Sequence, residues 1–428
     1  VAVQQLGKYE LRRRIGEGAT GTVHLAWDPF RRQAVAIKQL RRDVLRHPVH
    51  GRLNRRLLRN EASLAGRLVH PHIVQVHDAV IGDDEAYLVM DYVAGGTLAD
   101  LVRPGALPAL ERLLEIVFKC SCALDFAFHQ GVTHRDIKPA NILLADAGGS
   151  DIRISDFGAA LRSASDSTQI VGIGSPAYMS PQQVREMPVD HRSDIYSLGV
   201  VMFQLLTGRL PFESDNQYSL LYRIANETPP LPSELRRGIP PALDRIVRRA
   251  TEKELERRYQ SWTEFSHDLA LAFRNRSIEL DRSAIPEAQK FQSLRAMPFF
   301  RGFADAELWE VIGLAHWERV GPGTVVMKEG EPGDHFSFLV EGEARVRKRG
   351  KLLNFLSPGE CFGEVALFSA GGAVRSASVE TTTDSALASV DLRALERGSE
   401  TCRMQFYKAL LGVLATRLSM ASAQIANF

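Results

Sequence analysis

The chain has 428 residues, a formal net charge of +2, and charged and apolar fractions of 24% and 45%. At roughly 150 residues per domain this is too long for one simple core and points to two or three units. The near-neutral balance gives no global basis for binding nucleic acid or an anionic membrane. No apolar run reaches the roughly 18 residues needed to span a bilayer. The best candidate, IYSLGVVMFQLL from Ile195, reads as a buried helix. The N-terminus lacks the charged-then-apolar order of a signal peptide. Cys120, Cys122, Cys361 and Cys402 fit neither a zinc site nor a secreted disulfide framework, so a reducing cytoplasm is the expected compartment.

Residues 8–40 alternate apolar and polar, with glycines at the turns, which is hairpin chemistry. Within them Gly16, Gly18, Gly21 and Val23 form a G-x-G-x-x-G-x-V loop, whose glycines let backbone N–H groups approach phosphates. A dinucleotide loop of similar spelling opens a helix; this one lies between two strand-like runs. VAIK follows, ending at Lys38 and containing Ala36. An Arg-rich stretch, Arg41 to Arg59, reads as a solvated helical face leading to Glu61. Strands return at HIVQVHDAV and AYLVMDYV. From about residue 98 to 275 most segments have helical period. This part carries HRDIKPAN, His134 to Asn141, and DFG, Asp156 to Gly158.

These four strings, in this order, resemble the eukaryotic-type Ser/Thr protein kinase family over about residues 9–272. The resemblance implies a two-lobed fold, ATP and Mg²⁺, and protein substrates. It implies that Lys38 holds the α/β-phosphates and is fixed by Glu61. Asn141 and Asp156 then hold Mg²⁺, Asp136 receives or orients the hydroxyl proton, and Lys138 neutralises the transferring phosphoryl. Gly16, Gly18, Gly21, Val23 and Ala36 line the ATP site. Asp91 and Val93 offer backbone groups to adenine, with Met90 behind it. Ser167, Thr168 and Ser175 are the phosphorylation candidates of the activation loop, with Arg135 and the basic stretch as the phosphate clamp. Two departures stand out. Ser180-Pro181-Gln182 replaces the family's Ala-Pro-Glu, so the partner of Arg258 is neutral. Thr97 and Ala140 replace the acids with which basophilic relatives read substrate arginines.

A linker is expected at residues 276–290, around Pro286. Beyond residue 318, short strands with turns GPG, EGEPGD, EGE, RGK and SPGE indicate a small all-β unit of barrel or roll type. A helix without proline follows over residues 400–427. In it Tyr407, Leu411, Leu414, Leu418, Ala421 and Ile425 step by four and three, a short coiled-coil seam that serves a lid or a homodimer. FGE-x-AL from Phe362, then R-S-A-S-V from Arg375, resembles the phosphate-binding cassette of cyclic-nucleotide-binding domains, over roughly residues 291–420. The resemblance implies that Arg375 pairs with the cyclic phosphate and Glu364 accepts from the ribose 2′-hydroxyl. Phe362, Gly363, Val365 and Ala366 then shape the pocket, and Ser376 and Ala377 flank the phosphate.

The expectation is an α+β chain: a kinase domain at 1–275 (lobes about 1–92 and 93–275), then a β-roll cyclic-nucleotide-binding domain at 291–428 with flanking helices. Its function would be Ser/Thr phosphoryl transfer regulated by cyclic AMP or cyclic GMP, with no nucleic-acid or membrane partner. Two rivals stand beside it. One is a constitutive kinase whose roll serves dimerisation; the other is a nucleotide-sensing pseudokinase scaffold.

Overall fold

The structure is a computed structural model that describes residues 4–18, 20–47, 50–103, 105–146, 148–159, 176–274, 285–364 and 374–426. It divides into two compact units, Val1–Ile278 and Glu279–Phe428. Thr168, Ser167 and Ser175, with Val365 and Ala366, lie outside the described residues.

The first unit opens with six strands: β1 Gln5–Leu6, β2 Tyr9–Glu17, β3 Gly21–Asp28, β4 Gln33–Leu40, β5 Val76–Ile81 and β6 Ala86–Asp91. They form one antiparallel sheet in the order β1-β2-β3-β4-β6-β5. Its period-2 alternation sorts the apolar residues onto two faces. Ala36, Leu40, Leu88 and Met90 form one face and pack with Leu58. Val35, Ile37, Tyr87 and Val89 form the other, with Tyr9. Between β4 and β5 run α1, Arg42–Arg46, and α2, His50–Ser63. Gly51, Asn54, Leu58 and Glu61 make the buried line of α2 at helical spacing. Arg52, Arg56 and Arg59 are exposed, so the basic stretch is a solvated face.

The rest of this unit is mainly helical: α3 Leu110–His129, α4 Pro181–Val184, α5 His191–Thr207, α6 Gln217–Asn226, α7 Pro232–Leu235, α8 Pro241–Ala250 and α9 Trp262–Arg274. One small hairpin, β7 Ile142–Leu144 with β8 Ile152–Ile154, interrupts it. Helix α5 carries the apolar run noted in the sequence, and Ile195 through Phe203 are buried on every side. No described helix is long and apolar enough to cross a membrane.

The second unit begins with α10 Glu287–Ala296 and α11 Asp305–Leu314. The expected linker to residue 290 is therefore too long at its C-terminal end. Pro286 caps α10, and Ile285 and Ala288 are buried. Proline marks a helix start here because its missing N–H is one that no helix start can pair internally. Among the described residues eight strands follow: β9 His316–Val320, β10 Val325–Met327, β11 His335–Glu341, β12 Ala344–Lys348, β13 Lys351–Leu356, β14 Cys361–Phe362, β15 Ser378–Thr381 and β16 Ser385–Asp391. They form two four-stranded sheets, β10-β15-β12-β13 and β14-β11-β16-β9. Leu339, Leu356, Phe362, Val379 and Leu387 fill the space between them. The chain then forms α12, Leu392–Leu395, and α13, Glu400–Ala426. Cys402, Phe406 and Leu410 are the inward face of α13, and Phe406 joins Phe299, Phe336 and Phe338 in an aromatic cluster. Tyr407 and Leu411 of the seam are 37% and 66% exposed and its Leu414 is half-buried, so the first two seam positions do not pack on the roll.

One close contact in the helical part gives a test of packing. A Cβ on Gly199 of α5 would lie 2.7 Å from Ala250 Cβ and 3.1 Å from Thr251 Cγ2. Gly199→Val is expected to cost roughly 1–3 kcal/mol through overpacking. A lower thermal midpoint of the first unit's transition, measured on the full chain, checks this; an unchanged midpoint would show that the helices part freely.

Candidate active site and second pocket

Lys38 projects from β4 and Glu61 from the buried face of α2; their Nζ and Oε2 atoms are 3.1 Å apart. Lys38 also pairs with Asp156. Burial by itself would lower the Lys38 ammonium's pKa, but the carboxylates of Asp156 and Glu61 outweigh it and hold the group above its ordinary value. Asp156 has φ +67°, a left-handed backbone that carboxamide and carboxylate side chains tolerate better than most. That turn follows directly on β8 and aims the carboxylate toward Lys38.

Asp136 and Asn141 come together on the loop before β7. Asn141 Nδ2 donates to the Asp136 carbonyl at 2.8 Å and to its Oδ2 at 3.2 Å. Lys138 Nζ reaches the same Oδ2 at 2.7 Å. The loop is held from below by Asp194 of α5, a residue that sequence reading missed. Its carboxylate accepts from the His134 and Arg135 N–H groups at 2.6 and 2.7 Å. Burial pushes Asp194's pKa up against those bonds. His134 Nε2 bridges to the Ser155 carbonyl at 2.8 Å, and its ring lies 4.5 Å from Phe157. The two motif strings are thus physically joined.

The glycine loop is the β2–β3 turn. Gly16 pairs with Val23, and Gly18 N–H donates to the Gly21 carbonyl at 2.9 Å. A Cβ at Gly21 would sit 2.2 Å from the Gln39 carbonyl oxygen, which only glycine avoids. Val23, Ala36, Met90 and Val93 share one apolar cluster, and Leu143 of β7 joins it. Leu143 was not picked out in the sequence, although its place in a short strand just after Asn141 was a usable signal. The Asp91 N–H is spent on the Gln75 carbonyl, so the backbone group it has to offer is its carbonyl. Behind Met90 lies a small cleft lined by Glu61, Leu68, Val74, Met90, Asp156 and Phe157 among others.

Asn141 and Asp156 offer the oxygen donors that Mg²⁺ takes. No group of three or more His, Cys, Asp or Glu poised as a metal cage occurs among the described residues. Gln182 keeps the family's link to Arg258, with Nη2 donating to Oε1 at 3.0 Å. Arg258 is wholly buried, and burial pushes its pKa down to about 10. The Glu252 and Arg192 carbonyls complete its partners.

In the second unit Arg375 and Glu364 are both buried. Arg375 donates to the Gly363 carbonyl at 2.9 Å and approaches His335 Nδ1 at 3.4 Å. Gly363 has φ +87°, and a Cβ there would meet Arg375 Nη1 at 2.7 Å. A Cβ on Gly333 would meet the same guanidinium at 2.5 Å, so two glycines make its berth. Phe362 is core; Ser376 is exposed and Ala377 half-buried. Glu364 is not free: Arg417 of α13 pairs with its Oε1 and donates to the Cys361 carbonyl at 2.5 Å. Sequence reading missed Arg417. The available signal was that it is the one charged side chain between Lys408 and the end of the helix.

A model of the protein kinase domain matches residues 9–269, more than half of the chain, and one of the cyclic nucleotide-binding domain matches residues 317–401. Serine/threonine-protein kinase PknB of Mycobacterium leprae is 40% identical over 291 residues, 66% of this chain and 44% of that protein. Serine/threonine-protein kinase PksC of Streptomyces coelicolor is 36% identical over 271 residues, 60% of this chain and 47% of that protein. The Mycobacterium tuberculosis H37Rv PknB is 36% identical over 326 residues, 74% of this chain and 48% of that protein. The chain thus spans about half the length of the curated relatives it matches. With the motif residues assembled and the family model covering them, the chain belongs to the protein kinase family and carries behind the kinase domain a region that matches the cyclic nucleotide-binding domain.

Proposed function

We propose that the protein transfers the γ-phosphoryl of ATP to Ser or Thr hydroxyls of protein substrates, and that a cyclic nucleotide in the second unit raises this activity. One observation carries the first part: Lys38 is paired with Glu61 while Asp136, Lys138 and Asn141 form one hydrogen-bonded group. In this reading Lys38 holds the α/β-phosphates, and Asn141 and Asp156 hold Mg²⁺, which would supply charge neutralisation between the phosphates. Asp136 orients the hydroxyl and takes its proton; Lys138 faces the transferred group. Phosphoryl transfer asks the protein chiefly for position and charge, and these groups supply both. The intact Lys38, Asp136, Asn141 and Asp156 disfavour a pseudokinase scaffold. The names of the relatives, all serine/threonine-protein kinases, favour hydroxyl acceptors. Autophosphorylation at Thr168, Ser167 or Ser175, a cytoplasmic location and a homodimer through the seam of α13 belong to the same proposal.

The regulatory part rests on Arg375, a buried guanidinium held in a berth of two glycines and suited to a cyclic phosphate. A ligand shifts activity only by its differential affinity for two states, so the two parts separate experimentally. The rival constitutive kinase predicts activity indifferent to nucleotide.

Asp136→Asn is expected to bind ATP with Mg²⁺ while losing about 10²–10⁴-fold in phosphoryl transfer, the usual contribution of a positioned base. Near-normal turnover would remove Asp136 from its role. Arg375→Ala is expected to weaken cyclic-nucleotide binding by roughly 2–5 kcal/mol, because it leaves a buried phosphate without its cation. Calorimetry with cyclic AMP and cyclic GMP, alongside kinase assays, reads both. Binding lost without any change in the nucleotide response of the kinase would keep the pocket and reject the regulation.

A further inference from the structure

Glu364 is a fully buried carboxylate whose two oxygens have different fates. Oε1 pairs with Arg417, and Oε2 has no hydrogen-bond partner among the described residues. Burying a carboxylate without a cation costs several kcal/mol. Arg375, the other buried cation here, is turned to Gly363 and His335 instead. The cation comes from α13, 53 residues along the chain. That helix packs inward through Cys402, Phe406 and Leu410, all fully buried. Beyond Leu410 the inward positions Val413 and Leu414 are only half-buried. Arg417, at 41% side-chain exposure, then makes a forked contact to Glu364 and to the Cys361 carbonyl. Over residues 411–417 the helix thus has little apolar burial, and the Arg417 charge pair ties it to the roll.

We propose that Arg417 is a positioning residue that latches α13 over the nucleotide pocket: it holds Oε1 of Glu364 so that Oε2 accepts from a ribose 2′-hydroxyl, and bound ribose thereby holds the helix closed. This rests on the cyclic-nucleotide reading given above. A hydroxyl that satisfies a buried charged acceptor strengthens binding by about ten- to a hundredfold. The premium depends on how the Glu364 carboxylate is held, and Arg417 holds it through Oε1. Without Arg417, Oε1 also loses its partner and the carboxylate is no longer held with Oε2 left for the sugar, so the premium for the hydroxyl falls. Closure of α13 and recognition of the sugar then lose their link, although the phosphate berth at Arg375 stays intact.

The test compares cyclic AMP with 2′-deoxy cyclic AMP, and the guanine pair likewise, by calorimetry on the full chain. Wild type is expected to prefer the ribose form by about ten- to a hundredfold. In Arg417→Ala this ratio is expected to fall to about threefold or less, with ribose-form affinity down by the lost premium. Hydrogen exchange over residues 408–417 supplies the second readout. Ribose nucleotide should protect this segment in wild type; neither the 2′-deoxy form nor the variant should give that protection. If Arg417→Ala fails to fold, Arg417→Lys decides, since it keeps a cation but loses the fork. An intermediate ratio supports the latch, and a wild-type ratio overturns it. A wild-type ratio in Arg417→Ala, or tighter binding in that variant, overturns the latch while leaving the nucleotide reading standing. A wild-type chain that binds none of the four compounds overturns both.

Discussion

Lys38 is held between two carboxylates, and much of the first unit exists to make that affordable. Burial by itself would lower the pKa of this lysine. Glu61 and Asp156 prevent it, but each must arrive from a different element: Glu61 from the inward line of α2, Asp156 from the left-handed turn after β8. The backbone at Asp156 is in turn positioned through Ser155, whose carbonyl receives His134, and through Phe157 against the His134 ring. His134 and Arg135 hang from Asp194 on α5, a helix buried on nearly all sides. A shift of α2 or α5 therefore reaches Lys38 through polar contacts and not through loose packing. The cost is a set of buried charges that are stable only when all are present together.

How much of this was legible beforehand divides by the kind of signal. Lys38, Asp136, Asn141 and Asp156 lie in short strings whose order carries the meaning, so the site could be written down residue by residue. The β-unit and its cassette were legible from close turn spacing and from Glu364 and Arg375. What could not be read were contacts made at a distance. Asp194 looks like one more polar residue near a helix start, because only the fold shows that it faces two N–H groups of the catalytic loop. Arg417 is one charge among four in α13, and sequence periodicity draws attention instead to the seam that includes Tyr407 and Leu411, both of which face outward. The inward face uses Cys402, Phe406 and Leu410, a row at steps of four that a seam search at alternating three and four passes over. The linker boundary shows a related effect: Pro286 reads as a breaker in the sequence, but in the fold it starts α10.

The two units solve the same electrostatic problem, burying a carboxylate, by the same means. In each the cation is supplied by another element, 23 residues away for Lys38 and Glu61 and 53 for Glu364 and Arg417. A pair of this kind is a poor source of net stability, since desolvation offsets attraction. It is a good reporter of assembly, because separating the partners leaves a charge uncompensated. Arg258 makes the contrast. Its partner Gln182, 76 residues away, is neutral, and the guanidinium is satisfied instead by backbone carbonyls. Parting Gln182 from Arg258 strands no carboxylate, so the start of α4 is tied less strictly than Glu61 or Glu364. Charge balance is thus strictest at the phosphate-handling lysine and at the proposed sugar anchor, and relaxed where the chain leads out of the activation segment.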